Sequence, residues 1–504
     1  MLLKLSSLYT AQILKAVLPL VFIPLIIAEV GIQQYGLVSF MLLMMSFLGL
    51  LDAGMSGGMV RVLSISKTNI EEFTAALNLW LKIFLFILGV SVFIFLLFFI
   101  GADYLTFYWF EADLSLNLMN QSLIIIGIIL SLTFLKGYLT SKLVGFEKQV
   151  QLSVWQVVIT SCQYIIPYYI LKVYEANVDV YLAVVAFFCF IDCIVMYFLG
   201  LLYSKRIIKI ISFYDEKAKI NFDKNEYQLS SFIKNCLHLS GLTIIWTVAS
   251  QIDKLILSKY VSLETFSYYQ IAAQVALSVN LVIMPLNQFL MPRLTSLYSS
   301  GDFSSYSRLI VKFFTIFVLF FALFTPMYFY FGKYILSFWL GDITLTENVN
   351  MYLKWLVLSA VIQSFSNFIF LFYYSINRLN RQFFAYLIYS LITIPGSIVA
   401  AVKYGAEVCA IFSLMSSLVF FIFWGLITLK KYFKKPQLKM FFLPVFVFIS
   451  STLCLHVVNL FLRGEYLTHQ FILFLLLYIL VFYYVCIYIS RFSSSKTGAV
   501  GVKF

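Results

Sequence analysis

Apolar residues run along this chain in blocks of about 20, broken by short stretches of charge, Gly and Pro, and blocks of that length match helices that cross hydrocarbon roughly 30 Å thick. Spans are predicted near 8–29, 36–58, 78–100, 118–140, 151–172, 179–203, 232–258, 265–292, 309–331, 351–375, 382–403, 407–429, 438–460 and 468–490. The expected fold is all-α: a polytopic membrane protein of about 14 transmembrane helices. The segment Met1 to Ser7 carries one Lys and runs into the first span with no small-residue cleavage site, so it reads as the start of that helix and not as a cleaved signal peptide.

The first six spans recur as a second set. Val30-Gly31-Ile32 returns as Val261-Ser262-Leu263, Arg61 as Arg293, Gly145-Phe146-Glu147 as Asn377-Arg378-Leu379, and Val173-Tyr174-Glu175-Ala176 as Lys403-Tyr404-Gly405-Ala406. Identities are few, yet each landmark falls at the same kind of helix boundary. The pattern predicts two pseudo-symmetric six-helix bundles: 1–203, a cytoplasmic linker at 204–231, and 232–431, with 432–504 holding an appended helix pair and a cytoplasmic tail. Repeats of this kind place a substrate cavity between the halves, which rock to give alternating access.

Composition narrows the class further. Hydrophobic residues make up 62% and charged residues 11% of the 504, against about a quarter charged in soluble domains, which excludes a water-soluble enzyme. The seven cysteines lie in or at the start of spans without metal-ligand spacing and read as packing residues. With the amino terminus cytoplasmic, 26 of the 35 Lys and Arg fall on the inner side, Lys136 and Lys142 among them. This bias sets orientation and places both termini inside. The net charge of +13 is then accounted for by an inner rim facing anionic headgroups, and nucleic acid is not an expected partner. The longest outer loops are expected near 101–117 and 332–350, too short to fold as domains.

Ionisable groups inside spans are costly unless paired or hydrated, so each is a candidate. Asp192 is the deepest, with no cation within one helical turn in sequence; it fits either a coupling-ion site or an acid bonded to another helix. Asp52, in Leu51-Asp52-Ala53-Gly54, shares the choice between a coupling and a structural role. Lys15, Arg61 and Arg293 are candidate substrate cations, the two guanidiniums suited to phosphate; ordinary flanking charge or snorkelling is the plain alternative. Asp253 and Lys254 are candidates for a gate, or for interfacial anchoring. Pro19, Pro24, Pro167, Pro285, Pro292 and Pro395 are expected to bend their helices. Tyr164, Tyr168 and Tyr169 are placed to touch sugars. No nucleotide loop, nucleophile elbow or His/Cys metal cluster is present in the sequence, and neither a cofactor nor enzymatic chemistry is expected.

The stretch Pro24-Leu25-Ile26-Ile27-Ala28-Glu29-Val30-Gly31 with Gln34-Tyr35-Gly36, Leu51-Asp52-Ala53-Gly54 and Arg61, together with Gln251-Ile252-Asp253-Lys254 and Met291-Pro292-Arg293, resembles the Wzx-type polysaccharide flippases of the multidrug/oligosaccharidyl-lipid/polysaccharide exporter superfamily. The resemblance implies a bacterial inner-membrane transporter. Its substrate would be an undecaprenyl-diphosphate-linked oligosaccharide, such as an O-antigen repeat unit of lipopolysaccharide, moved from the cytoplasmic to the periplasmic leaflet. It also implies coupling to H+ or Na+, a cationic cavity to which Lys15, Arg61 and Arg293 contribute, and association with a polysaccharide polymerase and chain-length regulator. Two rivals stand beside it: a cation-coupled multidrug exporter, which deep Asp192 favours, and a membrane glycosyltransferase or O-antigen polymerase, which the short outer loops disfavour.

Overall fold

The computed structural model describes residues 2–52, 54–68, 70–214 and 229–432. Part of the expected linker and all of the appended helix pair lie outside these. The described residues are almost wholly helical: α1 (Leu2–Asp52), α2 (Met55–Ile65), α3 (Ile70–Tyr104), α4 (Leu116–Gly145), α5 (Gln149–Tyr174), α6 (Val178–Tyr214), α7 (Leu229–Tyr260), α8 (Leu263–Leu277), α9 (Asn280–Ser299), α10 (Phe303–Leu340), α11 (Ile343–Ser375), α12 (Leu379–Phe420) and α13 (Ile427–Tyr432). Seven stretches are long and apolar enough to cross a membrane, two of them, 17–52 and 379–432, holding two expected spans each. This is a multi-pass membrane protein.

Twelve of the fourteen expected spans fall on described helices, and the differences have local causes. The axes of α1 and α12 break at Gly31 (φ 78°) and Gly405 (φ 83°), a conformation with positive φ that a Cβ penalises, whereas Pro19, Pro24, Pro167 and Pro395 lie within their helices. The second span ends at Asp52, short of the expected 58. Span eight is split between α8 and α9. The loop expected over 101–117 is largely helix, because α3 continues into a π-helical turn, Leu105–Trp109. Likewise α10 and α11 are separated by Gly341 and Asp342 alone.

The internal repeat is visible in backbone bonding. After α4, Glu147 takes φ 60° and the amides of 147 and 148 donate to the carbonyls of 144 and 143; after α11, Asn377 takes φ 54° and the amides of 377 and 378 donate to those of 374 and 373. Both are the same left-handed helix termination, 230 residues apart. This moves that landmark by two from the register expected above. Glu175 (φ 45°) and Gly405 form a further pair with the same spacing.

The chain divides into two compact units, Met1–Gln270 with Ala401–Gly405, and Ile271–Ala400 with the chain from Ala406. In the first, α4 packs on α3 and α6, and α1 packs on α5 and α7. Lipid offers no hydrophobic drive between helices, so interhelical hydrogen bonds and close van der Waals contact must hold them. Ser91 bonds Ser131 across α3 and α4 at 2.9 Å, and Trp80 Nε1 donates to Ser141 at 3.3 Å. In the second unit Ser359, Ser413 and Ser417 do the same for α11 and α12 at 3.0 Å.

Candidate functional site

Charge buried among apolar helices marks the positions where the chain spends stability, and among the described residues the buried charged side chains are Lys142, Asp192, Asp253 and Lys254. All lie in the first unit. Asp192, on α6, is fully enclosed. Trp155 of α5 donates its indole N–H to Oδ1 at 2.7 Å, and Lys136 of α4 brings Nζ to 3.2 Å from Oδ2. That ammonium approaches off the hydrogen-bonding direction, so the contact is an ion pair and the indole supplies the directed bond. One acid thus ties three helices together. Lys136 is assigned to the inner loops by sequence, but it sits within α4, nine residues before the helix ends at Gly145. Lys142, also expected in a loop, is buried with Nζ 3.4 Å from the centroid of Trp80, an attraction between cation and ring quadrupole.

Asp253 and Lys254 form a second closed network. Nζ of Lys254 donates to the Ser250 carbonyl at 2.8 Å and lies 3.2 Å from Asp253 Oδ1, while the Tyr269 hydroxyl of α8 donates to Oδ2 at 2.7 Å. Every heavy-atom partner comes from α7 or α8, so the network clamps those two helices. Nearby, Trp109 donates to Ser258 at 3.1 Å and the Leu263 amide to the Glu111 carbonyl at 2.9 Å.

Asp52 has a structural contact. Its Oδ1 accepts from the Ser56 amide at 3.2 Å and the Ser56 hydroxyl at 2.6 Å, satisfying a donor at the start of α2, where amides otherwise lack partners. Arg61 on α2 is exposed, and Arg293 on α9 is exposed with its guanidinium 5.6 Å from the Phe289 ring. Neither forms an ion pair among the described residues. Lys15 lies on the first arm of α1, and its side chain is outside the described set. Phe22 on α1 meets Tyr164 and Tyr168 on α5, each with ring centroids at 5.8 Å, while Tyr169 is exposed.

Sequence reasoning found Asp192 by depth but not its partners. Lys136 and Trp155 are 56 and 37 positions away, and the six-residue spacing of Lys136 from Lys142 gives no hint that α4 turns the first toward α6. In the second half the positions 230 residues on are Ser366, Ala385 and Ile422, so this ion pair belongs to one repeat alone.

A family model described as "Polysaccharide biosynthesis protein" matches residues 2–298. The chain belongs to that family. Its fold is similar to a structure of the "Lipid II flippase MurJ, inward closed conformation", with a TM-score of 0.67 at 16% identity over 97% of this chain and 100% of that one. It is also similar to the inward-facing conformation of a multidrug resistance MATE family transporter of the MOP superfamily, with a TM-score of 0.57 at 12% identity over 84% and 94%. Among curated proteins none matches by sequence. At such identities the likeness establishes a shared fold.

Proposed function

We propose that this protein is a flippase that moves an undecaprenyl-diphosphate-linked oligosaccharide, an O-antigen repeat unit by preference, from the cytoplasmic to the periplasmic leaflet of a bacterial inner membrane. It works by alternating access driven by an H+ or Na+ gradient, and delivers its cargo to a polysaccharide polymerase and chain-length regulator. The observation that carries this reading is membership of a polysaccharide biosynthesis family in a chain whose fold, over 97% of its length, is similar to that of a lipid II flippase. A lipid-linked glycan brings a diphosphate and many hydroxyls past hydrocarbon, which requires exposed cations. Arg61 and Arg293 are exposed and unpaired with acids among the described residues, and with Lys15 they are the assigned diphosphate contacts.

The multidrug reading needs uncompensated carboxylates to hold cationic drugs. Asp192 and Asp253, the buried acids among the described residues, each face a lysine within 3.2 Å, so their negative charge is already balanced.

The test is accumulation in a deletion strain. Lipid-linked repeat units are expected to build up on the cytoplasmic leaflet, wild-type protein to clear them, and the Arg61→Ala plus Arg293→Ala double variant to leave them in place. Clearance by that double variant at the wild-type rate would remove the two arginines from substrate contact; no build-up on deletion would remove the flippase reading.

A further inference from the structure

The second unit carries an apolar groove with a charged mouth that the transport reading does not use. Helix α12 turns back on itself at Gly405. Its two arms run antiparallel, as shown by pairs whose numbers converge on the turn: Arg381 Nη1 donates to the Tyr432 hydroxyl at 2.6 Å, Trp424 Nε1 to Gln382 at 2.9 Å, and the Tyr386 and Phe420 rings stack at 5.5 Å. Between the arms lies a cavity of about 720 Å³. Its walls include Phe384, Ile388, Ile392, Val419, Phe423 and Ile427, all of them exposed large apolar side chains. A π-helical turn, Phe421–Leu426, widens the second arm beside it, and such bulges recur at functional sites.

The mouth is cationic. Arg381 and Lys431 both line the cavity at the end away from Gly405, and both converge on Tyr432, the guanidinium through the hydrogen bond and the ammonium 5.7 Å from the ring centroid. Neither forms an ion pair with an acid among the described residues. From Asn348 to Gly464 the sequence contains one acid, Glu407, which faces Lys354 at 3.6 Å. Arg381 to Thr393 spans about 18 Å of helix axis at 1.5 Å per residue, close to one leaflet of a core roughly 30 Å thick.

We propose that this groove is a binding site for an anionic phospholipid of the membrane, with the headgroup phosphate between Arg381 and Lys431 and an acyl chain along the α12 hairpin. Free phosphate does not account for an apolar wall one leaflet deep, and a zwitterionic lipid does not account for two cations with no acid beside them. The chain following Tyr432 adds Lys434, Lys435 and Lys439, so its charge does not complement the mouth. This site does not depend on the flippase reading.

Trp424 lines the groove and serves as the probe. In vesicles containing equal fractions of brominated phosphatidylglycerol or brominated phosphatidylcholine, the fluorescence difference between wild type and Trp424→Phe reports which lipid occupies the site. A basic group near the membrane surface is worth roughly fivefold in affinity for anionic lipid. A preference for phosphatidylglycerol on the order of tenfold is therefore expected in wild type, falling to about one in Arg381→Gln plus Lys431→Gln, and unchanged in Lys403→Gln beside the hairpin turn. Should the double variant fail to fold, Lys431→Gln alone is expected to lower the preference several-fold. A second readout is native mass spectrometry, in which wild type retains a phosphatidylglycerol that the variant loses. Equal quenching by both lipids, a preference that survives the double substitution, or shielding of Trp424 from both lipids by another part of the chain would each overturn the proposal.

Discussion

Replacing Lys136 with Ala should destabilise the protein far more than replacing Asp192 with Asn, although each removes one member of the same ion pair. The two partners differ in their access to solvent: the Asp192 side chain is 0% exposed and that of Lys136 is 26% exposed. Without Lys136 the carboxylate stays enclosed with only the Trp155 indole as partner. An uncompensated buried charge of this kind costs about 3–5 kcal/mol. Without the carboxylate, the partly exposed ammonium can extend along its flexible stem toward polar surroundings, and Asn can still accept from Trp155, so the loss is about 1–2 kcal/mol, the worth of a charged hydrogen bond and a partly screened pair. The double variant Lys136→Met plus Asp192→Leu should recover much of the Lys136→Ala loss, because removing both charges leaves nothing uncompensated. Thermal unfolding in a single detergent, analysed as a double-mutant cycle, supplies the numbers. Transport at matched folded fractions then separates packing from coupling: if Asp192 only holds α4, α5 and α6 together, the double variant transports normally once folded. Equal losses for the two single variants, or a larger loss for Asp192→Asn, would refute the burial argument.

Three other outcomes follow from the same geometry. Tyr269→Phe, which takes one donor from the buried Asp253 carboxylate, should cost about 2 kcal/mol in thermal unfolding, while Lys254→Met should cost about 3 kcal/mol or more by leaving that acid unpaired. Gly405→Ala forces a Cβ into φ 83° and should lower stability by at least about 1 kcal/mol, with Gly405→Asn milder than Gly405→Ala since Asn tolerates the left-handed region better. Asp342 accepts from Thr344 and from the amides of Thr344 and Leu345 at the start of α11, and these bonds, that from the Thr344 hydroxyl foremost, lower its pKa. A depressed carboxylate contributes stability above its unfolded pKa of about 3.9 and loses it as pH falls through the lower folded value. Asp342→Ala should therefore cost about 1 kcal/mol at neutral pH, and the difference from wild type should vanish in acid; a difference that persists at pH 2 would sink the assignment.

How far the sequence discloses this molecule depends on whether a feature is local. Runs of about 20 apolar residues need no partner to be recognised, and the helices α3 to α7 lie where those runs are. The repeat shows because Glu175 and Gly405 occupy matched turns, and a turn leaves its mark in the residues that make it. The break between α8 and α9 leaves no such mark: apolar sequence runs through residues 277–286 without Gly, and Pro285 lies inside α9. The Asp192 site is half legible for the same reason. Depth within one helix can be counted along the chain, whereas the rotation of α4 that brings Lys136 to α6 is set by side-chain packing between helices, which spacing along one of them does not encode. Asp253 and Lys254 are adjacent in sequence and stand out, but Tyr269, which completes their network, lies 16 residues on in the next helix.

The central claim is that this chain turns over lipid-linked glycan. The direct measurement is leaflet exchange of a fluorescent undecaprenyl-diphosphate oligosaccharide in vesicles that contain the purified protein, read by a membrane-impermeant quencher after an H+ or Na+ gradient is imposed. Protein-dependent loss of protected signal, slowed by Arg61→Ala plus Arg293→Ala and untouched in protein-free vesicles, is the predicted result. Exchange at the protein-free rate under either gradient, by protein whose unfolding transition shows it to be intact, would contradict it.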